Sequence, residues 1–120
     1  LINEFPEYYP YFAEREFTYD GITQPNRNPL LKLGLGADGL KTGWTQKAGY
    51  GIAGSALQDG RRVVFVLTGI KSPKIRAREA EKINNWVFRQ FTERKLISAG
   101  DVIHMVPVHL GEKTLVRVTV

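Results

Sequence analysis

The chain has 120 residues, about the size of one modest domain, and its 42% hydrophobic content against 24% charged residues is enough to bury a real core. With no cysteine, a disulfide scaffold, a thiol nucleophile and a thiolate metal site are all excluded. The net charge of +5 raises the question of nucleic acid. However, Arg61, Arg62, Lys71, Lys74, Arg76, Arg78 and Lys82 are spread out among acids such as Glu79 and Glu81, without interleaved aromatics, so the charge reads as a solvated surface and no nucleic-acid partner is expected.

No apolar run approaches the roughly 18 to 20 residues that span a bilayer, and no signal-peptide pattern is present. The chain opens on Leu1-Ile2-Asn3-Glu4 and closes on the strand-like run Thr114–Val120. Both ends read as cuts, so a piece of a longer protein is expected.

In chain order, residues 1–15 mix aromatics and acids and predict a short helix interrupted by Pro10. Glu16–Tyr19 predicts a brief strand closed by Asp20-Gly21, and residues 22–39 an irregular loop long enough to carry function. Three strands follow, Leu40–Thr45, Gly49–Leu57 and Arg61–Thr68, the last two joined by the hairpin turn Asp59-Gly60. Val63 to Leu67 is apolar at every position, which predicts a strand covered on both faces. Ser72-Pro73 is an N-cap followed by proline at the first helical position. The helix is predicted from 73 to about 93, with an apolar stripe through Ala80, Ile83, Val87 and Phe91, widened by Trp86. Residues 96–101 break the pattern, and Val102–Leu110 and Lys113–Val120 predict a final hairpin. The change at 96 divides the chain into units 1–95 and 96–120.

Gly34-Leu-Gly-Ala-Asp-Gly39 spells G-x-G-x-x-G but leads into a strand, whereas a dinucleotide site needs this turn to open a helix. Leu40 separates Gly39 from Lys41-Thr42 and so breaks a P-loop. His104 and His109 lie on a predicted strand, so they form neither a helical metal pair nor a triad with any serine here, and read as surface or half-buried residues. Neither cofactor nor metal is expected.

Lys41-Thr42-Gly43 is the informative triplet: a cation, a hydroxyl and a bare backbone on one strand, with the amide of Trp44 next. An ammonium supplies positive potential beside a reacting centre, the hydroxyl can hold a carboxylate, and the glycine admits a substrate backbone. Such a triplet marks penicillin-binding proteins and class A β-lactamases. Phe5-Pro-Glu-Tyr-Tyr, Glu16–Ile22, Pro25-Asn-Arg-Asn28, Asp38–Gly43, Ala48-Gly-Tyr-Gly51, Arg76 and Glu79–Trp86 together resemble, in order and spacing, the low-molecular-mass D-alanyl-D-alanine carboxypeptidases.

The resemblance implies an α/β sandwich, α+β in class, with an antiparallel sheet and helices on both faces. Residues 1–95 would supply the second half of the penicillin-binding domain, and residues 96–120 the opening of an all-β domain. It implies serine acyl transfer on peptidoglycan stem peptides, β-lactams as covalent inhibitors, and a location in the bacterial periplasm or on the outer face of the cytoplasmic membrane. Lys41 is then the catalytic-site lysine, Thr42 a carboxylate contact, Gly43 the point of close approach and the Trp44 N–H an oxyanion donor. Arg76 is the cation for the D-Ala carboxylate, and Arg27 a loop residue near the cleft. Trp44 stands where relatives more often carry His, which leaves a backbone role intact.

None of Ser55, Ser72 and Ser98 has lysine three residues on, so the nucleophile is expected upstream of residue 1, this chain alone is expected to be inactive, and the half-covered sheet is expected to self-associate. A β-lactamase-like hydrolase and a non-catalytic cell-wall or nucleic-acid binding module are the alternatives.

Overall fold

The computed structural model describes residues 1–120. The first two strands, β1 (Glu16–Tyr19) and β2 (Ile22–Pro25), form a small hairpin. The central sheet is an antiparallel meander of β3 (Ala37–Thr45), β4 (Gly49–Gln58) and β5 (Arg61–Ile70), in that spatial order. Helix α1 (Pro73–Gln90) follows, then a separate hairpin of β6 (Val102–Pro107) and β7 (Leu115–Thr119). This mixture of antiparallel sheet and helix is the expected α+β class. No helix is long and apolar enough to cross a membrane.

Local chemistry explains the turns and caps. Asp59 and Gly60 both take positive φ, 48° and 77°, which gives the two-residue turn whose twist matches that of flanking strands. Ser72 accepts a hydrogen bond from the Ile75 amide and so caps α1, with Pro73 in the first turn.

Register assigns the sheet's two faces. Thr42 lies opposite Ile52, which lies opposite Leu67, and Leu40, Gly54 and Phe65 form a second such row. This face packs on α1, where Leu30, Ile52 and Ala80 make the innermost cluster, with Ala37, Phe65 and Leu67 against it. The opposite face carries Lys41, Ala53 and Val66 in one row and Ser55 and Val64 in another. A short 3-10 helix, Tyr9–Ala13, packs over this face at β3.

Several expectations need correction. Pro10 does not interrupt a helix: it sits in the first turn of the 3-10 helix, where its missing N–H is harmless. Residues 22–39 are not one loop, since they contain β2, a 3-10 turn at Pro29–Lys32 and the start of β3. The run Val63–Leu67 is covered on one face only: Val63, Phe65 and Leu67 are half-buried, whereas Val64 and Val66 are 51% and 67% exposed. Helix α1 ends at Gln90, and its fully covered face is Arg76, Ala80 and Asn84 rather than the purely apolar stripe. Phe91 and Trp86 are exposed and pack on each other edge to face.

The glycines before β3 serve the backbone. Gly36 has φ 72°, its carbonyl accepts from the Leu57 amide, and a Cβ there would collide with the Leu57 carbonyl. Gly36→Ala is therefore expected to lower stability by about 1–3 kcal/mol, since strain and a backbone clash coincide. Gly60→Ala, at similar φ but in open space, is expected to cost less, about 1 kcal/mol. Urea denaturation of the two variants checks the order, and equal midpoints would contradict it.

Candidate functional site

Strand β3 is an edge strand, so the sequence Lys41-Thr42-Gly43-Trp44 borders open space along its length. Alternation sends Thr42 and Trp44 to the α1 face and Lys41 to the other. Thr42 is buried (8% exposed), whereas Lys41 is exposed, its ammonium folded back 2.8 Å from the Thr42 carbonyl. Nothing lies within 4 Å of a Cβ built on Gly43, so the strand presents bare backbone there.

Five of the six candidate residues meet in one groove. Arg27, Thr42, Gly43, Trp44 and Arg76, with Tyr50 and Pro73, line a space of about 520 Å³ between β3, β4 and the start of α1. Lys41 is not among them. It lines an adjoining groove with Tyr11, Phe12, Gln24, Asn26 and Leu40, and the two share Arg27 and Thr42. A larger hollow beside the β1–β2 hairpin contains none of the candidates.

Arg76 dominates the electrostatics of the first groove. It is 9% exposed, forms no salt bridge, and makes a single side-chain hydrogen bond, a long one of 3.4 Å to the Arg27 carbonyl. Its Nε is buried without a partner. Burial pulls its pKa below the ordinary arginine value, and Tyr50 acts in the opposite direction. A guanidinium stays charged under such a shift, so the result is a desolvated cation with unused donors facing a groove.

The Arg27 loop is pinned on both sides. The Asn26 amide donates to the Glu14 carbonyl at 2.8 Å and to the Phe12 carbonyl at 3.4 Å, and its oxygen accepts from the Asn28 backbone N–H. Asn28, 2% exposed, donates to the Gly39 carbonyl at 2.8 Å and accepts from the Leu30 amide. The loop is thereby tied to β3 two residues before Lys41, although Arg27 itself remains exposed.

On the opposite face, Asp38 braces the same stretch of strand. Arg62 contacts both of its carboxylate oxygens (2.8 and 2.7 Å), Tyr9 donates to it at 2.8 Å, and Arg62 also reaches the fully buried Ser55 hydroxyl. Sequence reasoning missed this cluster, as well as Asn28 and Tyr50 as parts of the site. Asn28 and Tyr50 lie in segments that carried the resemblance, but pairing across β3, β4 and β5 becomes visible only with the register. Two of the three serine hydroxyls have structural partners, Ser55 with Arg62 and Ser72 as the α1 cap, while at Ser98 it is the backbone N–H that donates to Asp101.

A Lys-Thr-Gly triplet is one of the motifs that mark penicillin-recognising serine enzymes, and here it lies on the edge of an antiparallel sheet beside an unpaired arginine. The chain belongs to the D-alanyl-D-alanine carboxypeptidase family (peptidase S11), whose profile matches residues 1–72. It is 41% identical over 118 residues to the D-alanyl-D-alanine carboxypeptidase DacC of Escherichia coli K12, covering 98% of this chain and 30% of that protein. The fold is similar to penicillin binding protein 5 from Haemophilus influenzae (TM-score 0.85, 37% identity), covering 97% of this chain and 34% of that one. It is also similar to penicillin-binding protein D2 from Listeria monocytogenes in its cefotaxime-bound form (TM-score 0.66, 33% identity), with 72% and 36% covered. The chain thus spans about a third of the length of the relatives it matches.

The Asp38 brace has a pH signature. Burial alone would raise the Asp38 pKa, but the hydrogen bonds from Arg62 and Tyr9 outweigh it and hold the carboxyl below its ordinary value. Its contribution to stability is therefore complete above the unfolded-state pKa, near about 4, and is lost as pH falls through the depressed native value. Urea midpoints measured from pH 6 downward are expected to decline below about pH 4, and Asp38→Asn is expected to flatten that part of the profile. An identical profile in the variant would contradict the brace.

Proposed function

We propose that these residues form the carboxylate-binding edge of a serine-type D-Ala-D-Ala carboxypeptidase that removes the terminal D-alanine from peptidoglycan stem peptides. The observation that carries this reading is the buried, unpaired Arg76 guanidinium facing the groove that Thr42 and Gly43 line. A desolvated cation with free donors is a strong binding site for a carboxylate, and a bidentate pair would fix the orientation of the peptide terminus.

In this reading Arg76 and Thr42 hold the terminal carboxylate, with Arg27 reinforcing the potential from its pinned loop. Gly43 lets the peptide backbone lie against β3, and the N–H of Trp44 supplies one of the donors to the oxyanion. Lys41, in the adjoining groove, contributes positive potential where the attacking serine belongs. That serine lies outside residues 1–120: its oxygen adds to the carbonyl of the penultimate D-alanine, the terminal D-alanine departs as the free amino acid, and water hydrolyses the resulting ester. β-Lactams acylate the same serine. Residues 96–120 open a β-rich domain distinct from 1–95, and the whole protein works in the periplasm on the outer face of the cytoplasmic membrane.

The full-length protein carrying this segment is expected to label stably with fluorescent penicillin. Rapid turnover of the label would favour a β-lactamase, and no labelling a binding module. Arg76→Gln is expected to lower kcat/KM for an acyl-D-Ala-D-Ala peptide by about 10- to 100-fold, the loss of a charge-assisted hydrogen-bond pair. An unchanged kcat/KM would overturn the carboxylate assignment.

A further inference from the structure

The geometry points to Tyr50 as a positioning residue that sets the preference for substrates ending in a free carboxylate, acting through Arg76. This inference rests on the carboxylate reading of the groove and goes beyond it in naming what holds the cation in place.

Tyr50, half-buried near the start of β4, stands opposite Trp44 in the register, on the face that α1 covers. The Arg76 guanidinium carbon lies over its ring, 5.9 Å from the centroid, and both residues line the groove. The ring is itself held by Trp44, 5.8 Å away and tilted by 43°. Its one side-chain hydrogen bond is to the Arg27 carbonyl, at 3.4 Å.

The choice of an aromatic neighbour has a chemical consequence. A carboxylate partner would neutralise Arg76 and occupy the in-plane N–H groups that a ligand carboxylate needs. A ring face instead stabilises the cation through its π cloud and leaves those donors unused. Arg62 shows the contrast: its guanidinium also lies over a ring, 4.9 Å from the Tyr9 centroid, but its donors are consumed by Asp38 and Ser55. Arg62 is therefore a brace, whereas Arg76 is an open receptor.

The test uses full-length enzyme and two substrates, an acyl-D-Ala-D-Ala peptide with a free C-terminus and the same peptide as its C-terminal amide. The readout is the ratio of their kcat/KM values. Tyr50→Leu is expected to reduce this acid-over-amide preference about 3- to 30-fold, the range of a partly desolvated cation–π contact. Tyr50→Phe, which keeps the ring, is expected to retain the preference. If Tyr50→Leu lowers both substrates in parallel, or if Tyr50→Phe loses the preference as Leu does, the ring is not positioning Arg76 and the proposal fails. Arg76→Gln serves as reference. A collapsed ratio there with an intact ratio in Tyr50→Leu refutes the Tyr50 role alone, and an intact ratio in both refutes the carboxylate reading as well.

Discussion

An arginine taken out of water without a counter-ion is the constraint around which this structure is arranged. Arg76 sits in the first turns of α1, on the covered face of the helix, with an orphaned Nε and no acid in reach. Burying a charge without a partner is unfavourable by several kcal/mol in the general case, and proteins retain such a group when a ligand completes it. The rest of the sheet can be understood as the means of keeping that cation in place and accessible.

Three elements do this. The Ser72 cap and Pro73 fix where α1 begins, and hence where Arg76 projects. The Asn26–Asn28 pair ties the preceding loop to β3 and places the Arg27 carbonyl beside the guanidinium. On the far face, Asp38, Arg62, Tyr9 and Ser55 hold β3 to β4, β5 and the first 3-10 helix. In the proposed function an anion meets a cation whose reorganisation folding has already prevented, which is the general advantage of a preorganised polar site.

Much of this was legible in the sequence where a local rule applied. Asp59-Gly60 marked the turn, Ser72-Pro73 the helix start, and the Lys41–Trp44 stretch falls on a strand as its residues predict. What escaped depended on register or on tertiary contact. Whether Val63–Leu67 was covered on one face or two followed from what packs against it, which the residues themselves do not encode. The 3-10 turn at Pro29–Lys32 was hidden among loop-forming residues because its cap, Asn28, is a turn former as well. Lys41 and Thr42 are neighbours in sequence but occupy opposite faces of β3, so the triplet splits between two adjoining grooves rather than filling one.

The family assignment rests on the whole length of the chain, and the proposed carboxylate site on one buried, unpaired side chain that the resemblance also singles out. The most direct measurement is a crystal structure of the full-length protein with a non-hydrolysable acyl-D-Ala-D-Ala analogue. The account requires the terminal carboxylate to lie within hydrogen-bond distance of both the Arg76 guanidinium and the Thr42 hydroxyl. A carboxylate bound elsewhere, with Arg76 still unpaired beside an empty groove, would contradict it.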